Sequence, residues 1–271
     1  MTSRDATPAV SRRAVLKASG GAAGLLGVGS ASASGGDTER CPDATLRPSM
    51  IHYDHSLETV CSDDHPATKE LKADVADALE YHYPTVGALI DDGFIPYFDF
   101  FTAEEGEGWS HWINPEYLGD DSVMDPDRPE SVLVDHRWWR PIGVMFIATR
   151  GGEPVEHPPA VYLDEKKDEE CLPWHAHVGL PGRYGWWKYQ QLYSEHAEKS
   201  KRLPCRTPWM MHVWAYPHPE SVYAHPAPPH GKRGGPPAEP AGFETDAVPG
   251  EDELGWRVLP DALRHRIKHR E

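Results

Sequence analysis

The sequence predicts an α+β fold, an antiparallel β-sheet or partly closed barrel with flanking helices. Two observations carry this. Short runs rich in aromatic and β-branched residues, separated by turn residues, recur between residues 94 and 216, which is how the strands of an antiparallel sheet read. Around and between them stand segments whose apolar residues recur at helical spacing, and helices set apart from a run of strands define the α+β class.

The first helix is expected over Lys69 to His82, where Leu71, Val75 and Leu79 repeat every four positions between Pro66 and Pro84. The prolines act as start and stop signals, and the apolar pattern continues through Val86, Leu89 and Ile90 to Gly93. FIPYFDFF (94–101), HWIN (111–114), SVLV (131–134) and GVMFIA (143–148) then read as strands, with RWWR near a hairpin turn between the last two. WHAHV (174–178) and WMMHVWAY (209–216) are two more strands, and WWKYQQLYSEHAEKS (186–200) lying between them has helical spacing and length. Finally, Leu259, Leu263 and Ile267 share one face of a helix whose other positions are basic. Such a helix most simply docks on the acidic body of its own chain.

These elements divide the chain into a signal peptide (1–33), an irregular N-terminal segment (34–66), an α+β core domain (67–223), a loop (224–250) and a basic C-terminal helix (251–271). The loop holds seven prolines and five glycines among 27 positions, too many for regular structure.

SRRAVLK at 11–17, followed by GGAAGLLGVGSASA, reads as a twin-arginine export signal. The apolar run from Ala22 to Val28 is far shorter than the ~20 residues of a membrane-spanning helix, and Ala31-Ser32-Ala33 offers a cleavage site. The mature chain is therefore expected to begin near Ser34, to be extracellular or at the cell surface, and to have no membrane insertion after processing. DTER ahead of Cys41 is unlike a lipid-attachment site. Four of the 27 basic and one of the 43 acidic residues precede residue 34, which leaves 23 against 42, a net charge of −19. So acidic a body repels nucleic acid and favours a monomer. With seventeen arginines to ten lysines, it also resembles proteins of salt-loving archaea; the alternative is an ordinary acidic secreted protein.

An even number of cysteines in an exported chain points to disulfides. Pairing Cys41 with Cys61 and Cys171 with Cys205 closes the shortest loops, and is the expected connectivity. The competing reading makes Cys171 or Cys205 a thiolate metal ligand beside His175 and His177.

In a strand, residues i and i+2 point to the same side, so His175 and His177 project together about 7 Å apart at the backbone. That spacing lets both imidazoles reach one ion. The same alternation puts Met210, His212, Trp214 and Tyr216 on one face, and sets His111 beside Trp109. Imidazole nitrogens suit zinc, copper, iron and nickel, and three of them leave an open position for water or substrate. The expected site is one transition-metal ion bound by His111, His175, His177 and His212, with Glu130 as a candidate carboxylate and Trp109, Trp174 and Trp214 lining the sheet. Spacing does not distinguish zinc, copper or iron. Met210 reads as core filler. His218, His225 and His230, set among prolines, read as exposed loop residues.

HWINPEYL, DPDRPESVLV, PIGVMFIA and MMHVWAYPHPESVYA, in that order, resemble a recurring set of exported bacterial and archaeal proteins with no established activity. Their motifs read H-[YW]-[VI]-N-P, D-P-x-R-P-E-x-L, a hydrophobic strand opening on Gly-Val or Gly-Ala, and L-H-V-W ending in N-P-x-G-x-F. The resemblance covers roughly residues 69–225 and implies that His111, Asn114, Glu130, His212 and Trp214 belong to one site or one core. Met211 stands where those sequences have Leu, and HPESVY replaces their last motif. No reaction is implied.

Other chemistry has little support. G-x-S-x-G, P-loop and dinucleotide-binding motifs are absent, and the carboxylate clusters DDHP, AEEGE and DEKKDEE have no apolar setting to raise a pKa. The alternative to a metalloprotein is a non-catalytic binding module. In that reading an aromatic face, drawn from ten tryptophans and eleven tyrosines, would stack on a small molecule or carbohydrate, with the histidines as hydrogen-bonded core residues.

Overall fold

In the computed structural model the described residues are 41, 45–53, 61–97, 99–102, 108–164, 169–193, 203–236 and 240–268, so the twin-arginine segment lies outside them. Strands β1 (Ser49–His52), β2 (Ile95–Pro96), β3 (Trp109–Ile113), β4 (Ser131–Asp135) and β5 (Arg140–Ile147) come first. Two short hairpins follow, β6 (Thr149–Arg150) with β7 (Glu153–Pro154) and β8 (Tyr162–Asp164) with β9 (Glu169–Cys171), and then β10 (His175–Val178) and β11 (Met210–Trp214). Seven of these strands form one antiparallel sheet in the order β1-β10-β11-β5-β4-β3-β2. The helices are α1 (Pro66–Tyr81), α2 (Val86–Asp91), α3 (Asp99–Thr102), α4 (Pro115–Leu118), α5 (Leu180–Tyr193) and α6 (Asp261–Lys268). This is the α+β architecture expected. Among the described residues no helix is long and apolar enough to cross a membrane.

The sheet separates two apolar layers. On one side the α1 stripe Leu71, Val75 and Leu79 packs with Val144, Phe146, Met211 and Val213, and Leu259, Leu263 and Ile267 of the C-terminal segment join the same layer. Truncating one of these buried side chains to Ala would cost about 2–5 kcal/mol. α1 begins where His65 caps it, its ring Nδ1 accepting from Ala67 N–H, with Pro66 at the first turn. On the other side Trp109, Leu133, Met145, Met210 and Trp214 pack with Trp186 and Tyr189 of α5.

The sheet curls toward this second layer. β3 and β11 are separated by β4 and β5, which in a flat sheet would set them ~14 Å apart, yet side chains from the two meet. Two features promote the curl. The β4–β5 register shifts between Leu133 and Val134, so that Ile142 is an extra residue, and such a bulge increases local twist. At Gly143 a Cβ would come within 2.9 Å of the Trp214 ring and 2.8 Å of the Val213 carbonyl; only glycine lets that tryptophan lie against the sheet.

Three expectations are revised. FIPYFDFF is not one strand: Tyr97 N–H still donates to the His111 carbonyl, but the His111 N–H that would return the bond goes to Asp99 Oδ2, so the pairing stops there and Asp99–Thr102 is helical. Within the segment taken as irregular, Ser49–His52 forms edge strand β1 against β10. The helix expected from Trp186 already starts at Leu180; its expected end, 194–200, lies outside the described residues.

The disulfides are Cys41–Cys205 and Cys61–Cys171, not the short-loop pairs, and with no free cysteine the thiolate-ligand reading falls too. β1 is the reason. Its antiparallel pairing with β10 bonds Leu180 N to the Thr45 carbonyl at one end and Tyr53 N to the Trp174 carbonyl at the other. The chain before β1 therefore meets the chain after β10, and the chain after β1 meets the chain before it.

Candidate metal centre

Among the described residues five imidazoles gather on the concave face, with His52 of β1 opposite His175 beside them. His175 and His177 come from β10, His212 from β11, His111 from β3, and His225 from the proline-rich segment after β11. Ring centroids lie 5.0 Å apart for His175–His225, 5.2 Å for His177–His225 and 5.4 Å for His175–His177. His212 is 5.3 Å from each of His175, His225 and His111. His175 and His212 are buried, whereas His111, His177 and His225 are partly exposed and form the side open to solvent.

Among the described residues, His175, His177 and His225 each offer a ligand atom, all within 4.8 Å of one another, and could hold a metal ion. His225 Nε2 lies 3.4 Å from His177 Nε2, close to the ~3.3 Å that separates two nitrogens on a tetrahedral ion with bonds of about 2.05 Å. His175 Nε2 is buried and has no hydrogen-bond partner. A buried nitrogen without a partner costs about 1–3 kcal/mol, and a coordinated ion would remove that cost.

Sequence reasoning missed His225. The segment after β11 is irregular but anchored. The Trp214 indole N–H donates to the Ala224 carbonyl (2.7 Å), and Trp214 N–H to the Val222 carbonyl (3.0 Å). Eight residues past His225, Arg233 is buried and donates to the Pro228 carbonyl (2.7 Å), the Gly108 carbonyl (3.2 Å) and Asp135 Oδ2 (2.9 Å). These contacts press the segment onto the sheet. His218, grouped with His225 in the sequence, caps the turn instead, its Nδ1 accepting from Glu220 N–H, and His230 is exposed.

Burial and the crowding of imidazoles act together on charge. Desolvation, then the neighbouring His225 and His111, hold His177 down to about 4; desolvation, then His111 and His52, do the same for His225, also to about 4. His175 and His212 are held well below the ordinary value, first by burial and then by their imidazole neighbours. Near neutral pH these four rings are uncharged, the state in which imidazole binds metals. Two tautomers follow from partners that only accept. His212 Nδ1–H donates to the His225 carbonyl (2.9 Å), and His111 Nδ1–H donates to Asp99 Oδ2 (2.7 Å). Both Nε2 atoms are thereby turned inward.

The remaining expected site residues divide. Trp109 and Trp214 line the cluster: Trp109 lies 5.0 Å from the His111 ring and 5.9 Å from His212, and Trp214 is 5.5 Å from His212. Both rings are buried; Trp109 packs tilted or edge-on against its neighbours, and Trp214 is also stacked on His218 at 6.4 Å. Trp174 belongs to the opposite layer, its indole N–H donating to the Pro159 carbonyl, as strand alternation from His175 requires. Asn114 is a structural cap, its Oδ1 accepting from Glu116 N–H and its amide donating to the Asp92 carbonyl. Glu130 is buried, and Oε2 accepts from Ile147 N–H. Burial raises its pKa well above the carboxylate range, and the charges that bear on it are Asp120 and Asp125. It braces the β4–β5 junction through this backbone bond, and the group of described residues that could hold an ion is His175, His177 and His225. Met210 sits in the apolar layer as core.

No protein-family model, curated protein or solved structure matches this chain.

Proposed function

We propose that this is an exported metal-binding protein that holds one transition-metal ion through His175, His177 and His225. The observation that carries the reading is the convergence of three neutral imidazoles, one with a buried, unpartnered Nε2. An all-nitrogen donor set suits zinc, copper or iron and disfavours magnesium and calcium, which prefer oxygen. Three protein ligands leave a coordination position for water or a small molecule, on the side where His177 and His225 reach solvent. Two disulfides fit an oxidising compartment, and the twin-arginine motif gives the proposed route there. The ordered HWINP, DPDRPE and HVW motifs group the chain, in this reading, with exported proteins that share the motifs holding His111 and His212.

Elemental analysis of the processed protein, purified without an affinity tag and dialysed against zinc, copper or iron, tests the reading. His177→Ala and His225→Ala should each abolish tight binding at these three ligands, and His218→Ala should leave it intact. Failure of the native protein to take up any of the three metals would overturn the proposal.

A further inference from the structure

The three-histidine group accounts for neither His111 nor His212, and these two face each other at the other end of the cleft. Their Nε2 atoms are 3.2 Å apart. Each ring has its opposite nitrogen committed as a donor, His111 to the Asp99 carboxylate and His212 to the His225 carbonyl. In their neutral forms both Nε2 atoms carry lone pairs, and two lone pairs at that distance repel unless a positive centre lies between them. Either a proton or a metal ion can fill that role.

The surroundings match what metal-bound histidines require. A ligating imidazole almost always gives its second N–H to a carboxylate or a backbone carbonyl, which fixes the tautomer and strengthens the ligand; here one ring has each kind. Asp99 holds the His111 ring from two directions, because Oδ2 also accepts the His111 backbone N–H at 3.0 Å. With bonds of about 2.05 Å, nitrogens 3.2 Å apart subtend an angle of about 100° at the ion, near the tetrahedral value.

We propose that His111 and His212 form a second metal position, so that the cleft is a two-metal centre for nitrogen-preferring divalent ions such as zinc, cobalt or copper. This inference rests on the three-histidine reading for its first ion. His212 joins the two positions: its Nε2 serves the second, while its Nδ1–H holds the carbonyl of His225, a ligand of the first. His175 packs against His212 from the other side. With only two protein nitrogens the second position keeps open sites, and it is expected to be the weaker of the two. Two ions side by side suit chemistry in which a small ligand bridges them.

The full-length processed protein, disulfides intact, is titrated with zinc chloride and then cobalt chloride, with bound metal counted per chain after equilibrium dialysis. Native protein should saturate at two equivalents. His111→Ala, and His111→Gln as a less disruptive variant, should saturate at one, with circular dichroism unchanged. His177→Ala should lose the tight equivalent. In the doubly copper-loaded protein, electron paramagnetic resonance should show coupled Cu(II) ions, and the His111 variants a single uncoupled Cu(II). One equivalent in the native protein, lost in His177→Ala and kept in His111→Ala, would overturn the second position and leave the first standing. Two equivalents retained by the His111 variants would also overturn it, and no metal at all would overturn both.

Discussion

Arg233→Met tests whether a buried ion pair holds the irregular segment, and with it His225, onto the sheet. The Arg233 and Asp135 side chains are only 5% and 1% exposed, with Nη1 2.9 Å from Oδ2. Removing the guanidinium leaves the Asp135 carboxylate buried, with Trp138 N–H still donating to Oδ1 but its cation gone. Breaking one side of such a pair costs about 3–5 kcal/mol, whereas replacing both charges by apolar groups is often nearly neutral. In urea, the midpoint should fall without a change in slope, and for a domain of this size Tm should drop on the order of 10 °C. Asp135→Leu combined with Arg233→Met should recover most of the loss. Zinc affinity should fall in the single variant, because Arg233 also binds the Pro228 carbonyl, three residues from His225. A loss below about 1 kcal/mol with unchanged zinc affinity would refute the anchoring argument.

Two further outcomes are expected. For the metal-free protein, His177, His225 and His136, which is buried just after β4 with its Nε2 2.7 Å from Ser110 Oγ, each have a folded-state pKa of about 4 against an ordinary 6.5, held down first by desolvation. The unfolded chain takes up these protons from pH 6.5 downward while the folded chain does not until about 4. Stability is therefore full above 6.5 and falls by about 1.4 kcal/mol per pH unit per group across that window, which urea melts at stepped pH will measure; a flat profile from 7 to 4 would contradict the desolvation that holds these rings neutral. Bound zinc should correspondingly resist acid until well below pH 6, since protons compete for His177 and His225 only near their lowered pKa values. Salt gives the second outcome. With a net charge of −19 over residues 34–271, self-repulsion grows as the Debye length rises from ~3 Å in molar salt to ~30 Å at ~10 mM. Thermal melts should show a marked loss of stability at the low end, and constant Tm would speak against adaptation to high salt.

Local pattern was enough to fix much of this protein. The four-residue repeat of Leu71, Val75 and Leu79 between prolines gave α1, and Leu263 and Ile267 the docked face of the last helix, because a 3.6-residue period is a property of one segment; Leu259, expected on that face, is buried but extended ahead of the helix. Strand alternation likewise placed His175 with His177 and Met210 with His212 and Trp214. It also implied that Trp174 faces away from His175, although the expected site had included it. What pattern could not supply was anything that depends on partners far along the chain. β1 is four residues long and exposed on one edge, with no period of its own, and exists because β10 pairs with it; the disulfide connectivity follows from that pairing. The meeting of His111 with His212 needs the sheet to curl across two intervening strands, and that curvature rests on the β4–β5 bulge and Gly143, far from either histidine in the chain. His225 was hidden for the same reason. Its sequence, among prolines, carries no period, and an irregular backbone is placed by tertiary contacts: the Trp214 indole, the Arg233–Asp135 pair and the His212 ring. Sequence alone determined the helices and strands that carry a period of their own and which residue types could bind a metal; only the folded chain decided which five imidazoles share a cleft, because that depends on how the sheet bends and on which loop is pinned across it.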